Sequence, residues 1–301
     1  MKNLLLCCLA ATLAVSSCQK TGIRQTLEKA GENRRELETV LEHYKNEPLK
    51  EKAARFLLEN MDGHFAHTGE AVDVYDNYMD SVFRHCNGDR VFWIMKYDTI
   101  LQRTGLDLEL SQDERLYDAQ SVTADFLTEH IDSAFTVWQQ NWNKQYSFEM
   151  FCRYVLPYRI GNEKTSLWRK TFTVPSWVRE AYAPNQDNST YAYGMANDIL
   201  GGMRSVIYYP PQFLPDLPLT ALEHVKSASC KEYAHLCVAV LRAHGLPATI
   251  DFTPQWGNRG LGHEWCVFFP DNHSFIPFNP GERLGDHFMN CLLYTSPSPR
   301  D

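Results

Sequence analysis

Apolar residues recur at helical spacing over most of the chain and at strand spacing only after about residue 248. Leu37, Val40, Leu41 and Tyr44 form one stripe, and Leu49, Ala53, Phe56, Leu57 and Met61 form a second. This is the three- and four-residue recurrence of a helix face. Asn46-Glu-Pro48 separates the stripes and Gly63 ends the second, which predicts a helical hairpin. Leu127, Ile131, Phe135, Trp138 and Trp142 predict another helix. Phe148, Phe151, Cys152 and Val155 predict one that begins at Ser147 and stops before Pro157. In "LPYRIGNEKTSLWRKTF", Arg159, Glu163, Trp168 and Arg169 read as a structural network joining helices, the usual fate of buried polar groups. Asn, Gly and Pro punctuate positions 185–218 around a helix expected near 195–206.

The stretch "SASCKEYAHLCVAVLRAHGLPA", from Ser227 to Ala248, carries the clearest helix. Tyr233, Leu236, Cys237, Val240 and Leu241 make its core stripe. Ser229 and Glu232 fit a capping box, Gly245 fits the left-handed residue past the end, and Pro247 blocks continuation. Cys230 therefore stands at the first helical position, beside unpaired N–H groups, where a thiol pKa of about 8.5 can fall to roughly 3.5–7.5. A packed small hydrophobe is the alternative, but a cap between Ser229 and Lys231 is a poor place to bury one. Beyond this helix, runs at 248–252, 264–269 and 274–278 alternate with Gly, Pro and Asn turns and predict strands. One helix followed by sequential strands implies an α+β domain with an antiparallel sheet against the helix.

A cysteine nucleophile requires a base, and the base requires a group that fixes its ring. His263 begins the second run, and Asn279 follows the third. Neighbouring antiparallel strands can set the two side by side, with Cys230 facing the imidazole. Cys230 with "KEYAHLCVAVLRAHGLPA", then "GHEWCVFFP", then "FIPFNP", resembles the transglutaminase-like superfamily. The resemblance runs from Ser229 to Pro280. It implies a papain-like core with Cys230 as nucleophile, His263 as base and Asn279 in the orienting position, acting without a cofactor. Asn279 stands where Asp is usual, and Ser229 where Gly is common. An amide can orient an imidazole but brings no full charge. Trp256 and Trp265 are the candidate lining of a substrate cleft. The upstream "LEHYK", "LPYR" and "SLWRK" resemble the helical part of transglutaminase-like lipoproteins of gut Bacteroidetes.

Zinc is the rival chemistry, since Cys230, His235, Cys237, His244, His263 and Cys266 are all ligand types. The spacing opposes it. Cys230 and Cys237 lie two turns apart, and His263 and Cys266 point to opposite faces of one strand. No second His completes H-E-x-x-H after "GHEW".

The ends stand apart from the fold. "MKNLLLCCLAATLAVSSC" has a basic start, a short apolar run and small residues before Cys18, the form of a signal peptide. Val15-Ser-Ser-Cys18 resembles a lipobox, which makes Cys18 the expected lipidation site of a cell-envelope lipoprotein, at the outer membrane or cell surface or on its periplasmic face. Plain secretion is the alternative. The last eleven positions, "CLLYTSPSPRD", resemble a translated sequencing adaptor. The expected organisation is thus a signal peptide at 1–17, a helical region at 18–146, a C-terminally truncated transglutaminase-like core at 147–290, and an artefact at 291–301. A net charge of −8 gives no electrostatic reason for nucleic acid as partner. Of nine cysteines, Cys86, Cys152, Cys230, Cys237 and Cys266 remain between the ends, an odd number that leaves at least one thiol outside any disulfide set. The expected activity is cysteine-dependent acyl transfer or amide hydrolysis on a protein or peptide. The alternative is a catalytically weak or inactive module that keeps the fold and binds peptide or glycan.

Overall fold

In the computed structural model, the described residues are 22–85, 114–140, 143–172, 176–182, 189–201, 206–207, 215–224, 227–254 and 262–285. Cys18, Cys86, Trp142, Asn188, Trp256 and the adaptor-like tail lie outside them. Two compact units divide the chain: one within Met1–Ala66 and Arg115–Ile131, the other within His67–Glu114 and Asp132–Asp301.

In the first unit, helices α1 (22–29), α2 (Arg34–His43) and α3 (Pro48–Glu59) follow in turn. Pro48 sits in the first turn of α3, where a missing N–H costs nothing. Leu37, Val40 and Tyr44 are buried as the stripe predicts, but Leu49 is exposed. The buried face of α3 is instead carried by Ala53, Ala54, Leu57 and Leu58. The Thr26 hydroxyl, itself buried, donates to Leu58 O at 2.8 Å and ties α1 to α3. The tyrosine hydroxyl of Tyr44 donates to Thr128 O at 3.0 Å.

The second unit holds the candidate chemistry. Helix α4 (Phe148–Tyr154) starts at Ser147, whose side chain accepts from Met150 N–H. Helix α5 spans Ser189–Gly201, earlier than the 195–206 expected, and Val206 belongs to a strand. Strands β1 (Val206–Ile207) and β2 (Ser227–Ala228) pair in parallel, and β2 delivers the chain to Ser229. Helix α6 (Cys230–Ala243) is capped as anticipated: Ser229 N–H donates to Glu232 Oε2 at 2.8 Å and its hydroxyl accepts from Glu232 N–H. At the far end Gly245 adopts φ +76°. Its N–H and that of Leu246 return to Arg242 O and Leu241 O, both at 3.0 Å, which satisfies the last carbonyls.

Every residue from Tyr233 to Ala243 is buried, so α6 is a central helix rather than the one-faced helix its stripe suggested. Its buried Arg242, and Arg169 from the short helix Trp168–Thr171 packed beside it, are accommodated by hydrogen bonds. Arg242 donates to Ala248 O and Arg159 O, and Arg169 donates to Arg242 O and Val155 O. Trp168 Nε1–H donates to Tyr158 O at 2.8 Å, and Glu163 accepts from Ile160 and Gly161 N–H. Packed on α6 is an antiparallel sheet of β3 (Ala248–Thr253), β4 (His263–Phe268) and β5 (Ile276–Phe278), with β4 central. Cys266, Phe268 and Phe278 are almost fully excluded from solvent, and Cys266 lies against Ala234 O of α6. That assigns the helix-facing side of β4 to the even positions, because strand side chains alternate. The fold is α+β, with the antiparallel sheet packed on the central helix.

Candidate active site

Cys230 is half-buried at the first position of α6. The backbone N–H groups of Glu264 and Lys231 face its sulfur, which sets the thiol against the residue that follows His263 on β4. Burial pushes the Cys230 thiol up. The Glu264 N–H opposes this, the negative charges of Glu264 and Glu232 add to the rise, and the Lys231 N–H works against them. The expectation from sequence that the helix end lowers this pKa is therefore overturned: burial and two carboxylates outweigh the favourable helix terminus. At rest the group is a thiol, and an acceptor must remove its proton before it can attack.

The other two residues meet. Cys266 is opposite Phe278 in the β4–β5 ladder. Continuing that register past the end of β5 puts Asn279 opposite Trp265, on the same sheet face as His263 and diagonal to it. His263 Nε2 and Asn279 Oδ1 are 3.0 Å apart. An amide oxygen only accepts, so the proton of a neutral ring sits on Nε2 and Nδ1 is left as the basic nitrogen. This tautomer is assigned from the hydrogen bond. The amide orientation is fixed in turn by Asn279 Nδ2–H donating to Glu282 Oε2 at 3.2 Å and by Glu282 N–H donating to Asn279 O at 3.1 Å. Sequence reasoning overlooked Glu282, although its position two residues past Asn279-Pro280 within a turn was a usable signal. Trp265 is half-buried with its ring 6.0 Å from that of His263, while its suggested companion Trp256 lies outside the described residues.

Behind this face is a charged cluster that sequence reasoning also missed. Glu264, directed toward α6, places Oε2 at 3.3 Å from His235 Nε2. Asp216 pairs with Lys231 and accepts from Asn162 N–H at 2.7 Å. A cavity of about 290 Å³ has Asp216, Lys231, His235, Arg242, Phe252 and Glu264 in its wall. Neither Cys230 nor His263 lines it, but the residue after each of them does.

Among the described residues, Glu163, Asp216 and His235 bring one ligand-type atom each within 4.8 Å of one another. The donors of that trio are committed. Both Glu163 oxygens accept backbone N–H groups, Asp216 is held by Lys231 and Asn162, and His235 by Glu264. The Lys231 ammonium already pairs with Asp216, so the set fits an internal charge network better than a metal centre. The zinc candidates named from sequence disperse likewise. His263 bonds Asn279, His244 contacts Val240 O, and Cys266 reaches Ala234 O and Cys237. Cys152, Cys230, Cys237 and Cys266 are free thiols.

Comparison with known proteins finds a family match over this site. Residues 175–280 match the model of the transglutaminase-like superfamily, a span that contains Cys230, His263 and Asn279. No curated protein matches the chain significantly. A solved structure from Cytophaga hutchinsonii, named as a candidate cysteine protease, is similar at 13% identity with a TM-score of 0.27. The match covers 40% of each chain, so this chain spans about two fifths of that protein's length, and at that TM-score it carries no argument.

Proposed function

Because residues 175–280 belong to the transglutaminase-like superfamily, we propose that this chain is a thiol acyl-transfer enzyme acting on amide bonds of protein or peptide substrates. Cys230 is the nucleophile, His263 the proton carrier and Asn279 the orienter of its ring. The observation that carries this reading is the His263 Nε2–Asn279 Oδ1 contact, which leaves Nδ1 as the base on the strand whose next amide faces the Cys230 sulfur.

The steps follow from the groups present. His263 Nδ1 takes the thiol proton as sulfur bonds to the amide carbonyl carbon. The oxyanion is met by N–H groups at the α6 N-terminus, including that of Cys230. His263 then delivers the proton to the leaving amine as the C–N bond breaks, and a thioester remains. Water, deprotonated by the same nitrogen, attacks the thioester, and the C–S bond breaks to release acid and regenerate the thiol. An amine in place of water gives cross-linking. Hydrolysis is the favoured outcome, and Trp265, beside the imidazole, lines the substrate path. At the N-terminus Cys18 carries a lipid that holds the enzyme in the cell envelope. Among the described residues no helix is long and apolar enough to cross a membrane.

The raised thiol favours one second reading, a transglutaminase-fold module that binds peptide or glycan without turning it over. Iodoacetamide labelling separates the two. In an enzyme, Cys230 reacts at neutral pH only with the help of His263, so His263→Ala slows labelling about tenfold or more and Cys230→Ala abolishes it at that position. Labelling of Cys230 that ignores His263→Ala refutes the catalytic reading and leaves the binding module.

A further inference from the structure

The charged cluster touches both functional segments at matching places. Lys231, next after Cys230, is paired with Asp216; Glu264, next after His263, is paired with His235. Glu264 has two roles on one residue. Its side chain crosses to α6, while its backbone N–H faces the Cys230 sulfur. The pair therefore tethers to α6 the same residue whose N–H faces the thiol. We propose that His235 and Glu264 are positioning residues: the pair of buried His235 with half-buried Glu264 ties the start of β4 to α6 and sets how the His263 segment presents itself to Cys230. This inference rests on the acyl-transfer reading above.

The surroundings fit a clamp rather than a ligand site. His235 is almost fully buried, and the charged groups that face it are Glu264 on β4, Asp216 from the segment before α6, and Glu163 from the loop after α4. Burial opposes the imidazolium, yet these three carboxylates more than offset it and hold the His235 pKa above its ordinary value. The loop closes on the cluster without slack, because a Cβ at Gly161 would lie 2.5 Å from both Asp216 Oδ2 and His235 Cε1. Each charged group in the cavity wall already has a protein partner: Lys231 with Asp216, His235 with Glu264, Arg242 with two carbonyl oxygens. Their charges are spent on one another. A carboxylate on the helix-facing side of a strand calls for such a partner, since its burial unpaired is costly.

The clamp predicts opposite effects from its two members, a result that loss of folding cannot imitate. The measurement is the rate of Cys230 alkylation by iodoacetamide in the full chain as a function of pH, read by mass spectrometry. Glu264→Gln keeps an acceptor for His235 and the backbone N–H at the sulfur but removes a negative charge beside the thiol. Its midpoint should move down by about half a pH unit or more. His235→Leu leaves the Glu264 charge without its partner and frees the side chain, so the midpoint should move up and the neutral-pH rate fall about threefold or more. His235→Gln, which retains a donor, should recover most of that loss. If His235→Leu does not fold by near-ultraviolet circular dichroism, Glu264→Gln and His235→Gln decide. Labelling that depends on His263 but ignores these substitutions, or shifts the same way in both, overturns the clamp alone. Labelling that is independent of His263 in the unsubstituted chain overturns the acyl-transfer reading and the clamp with it.

Discussion

Removing the Asn279 amide tests the candidate site at its best-defined contact. The His263 Nε2–Asn279 Oδ1 bond of 3.0 Å holds the ring in the tautomer that exposes Nδ1. Asn279→Ala deletes two side-chain hydrogen bonds, of which the one that orients the ring, to His263, is worth a net of about 0.5–1.5 kcal/mol. Both residues are half-buried, so water can take part of the lost role and the middle of that range applies. A loss of about 1 kcal/mol in ring orientation is roughly a fivefold fall in rate. The assay is the alkylation rate of Cys230 at fixed neutral pH, with a thermal melt as control, since a turn residue outside the core should leave the fold intact. Glu282→Gln provides the scale. It keeps a hydrogen-bond acceptor for Asn279 Nδ2–H and removes an exposed, solvent-screened charge, so the rate should change by less than about twofold. Two results refute the reasoning: Asn279→Ala indistinguishable from the unsubstituted chain, or Glu282→Gln the more damaging of the pair.

Two further predictions concern stability. Gly245→Ala puts a Cβ at φ +76° and into the Asn143 amide, which donates to Val137 O at 2.8 Å and His244 O at 2.9 Å. The left-handed penalty and loosening of those bonds sum to about 2–4 kcal/mol, read as a lower urea midpoint, and a loss under about 1 kcal/mol would contradict the close approach. For pH, His235 is held high, so its contribution is complete below the unfolded value of about 6.5 and is lost as pH rises through the folded value. Burial would raise the Asp216 carboxyl, but Lys231, His235 and the Asn162 N–H hold it low. Its contribution is present above about 3.9 and is lost as pH falls through the folded value. Urea unfolding should therefore weaken on both sides, and His235→Leu should flatten the alkaline limb; a limb that persists unchanged in that variant counts against the charged His235.

What the sequence made legible was local. Ser229, Glu232 and Gly245 act within a few residues of themselves, and the helix they bound begins and ends where they say. The strand runs were legible because Gly, Pro and Asn mark their ends, and they paired in the antiparallel order their succession implied. The start of α5 was misplaced because the helix already opens at Ser189, inside the stretch read as punctuation. Leu49 was assigned to a buried stripe by spacing alone, when the small pair Ala53-Ala54 lets the helix turn its next face inward. His235 entered the sequence reading only as a dispersed zinc candidate, and Glu264 only as the first residue of a strand run. Yet strand alternation already required Glu264 to point away from His263, toward α6, where a cation such as His235 stabilises it. Burial first, and then that same carboxylate together with Glu232, is why the thiol expectation reversed. The dipole at the start of α6 is a property of the helix itself and argues for thiolate. The Glu264 charge and the burial arrive with β4, across the fold, and they argue for thiol. A group placed at a helix end by local sequence thus has its protonation decided by tertiary contacts, and the reactivity of Cys230 belongs to the strand as much as to the helix that carries it.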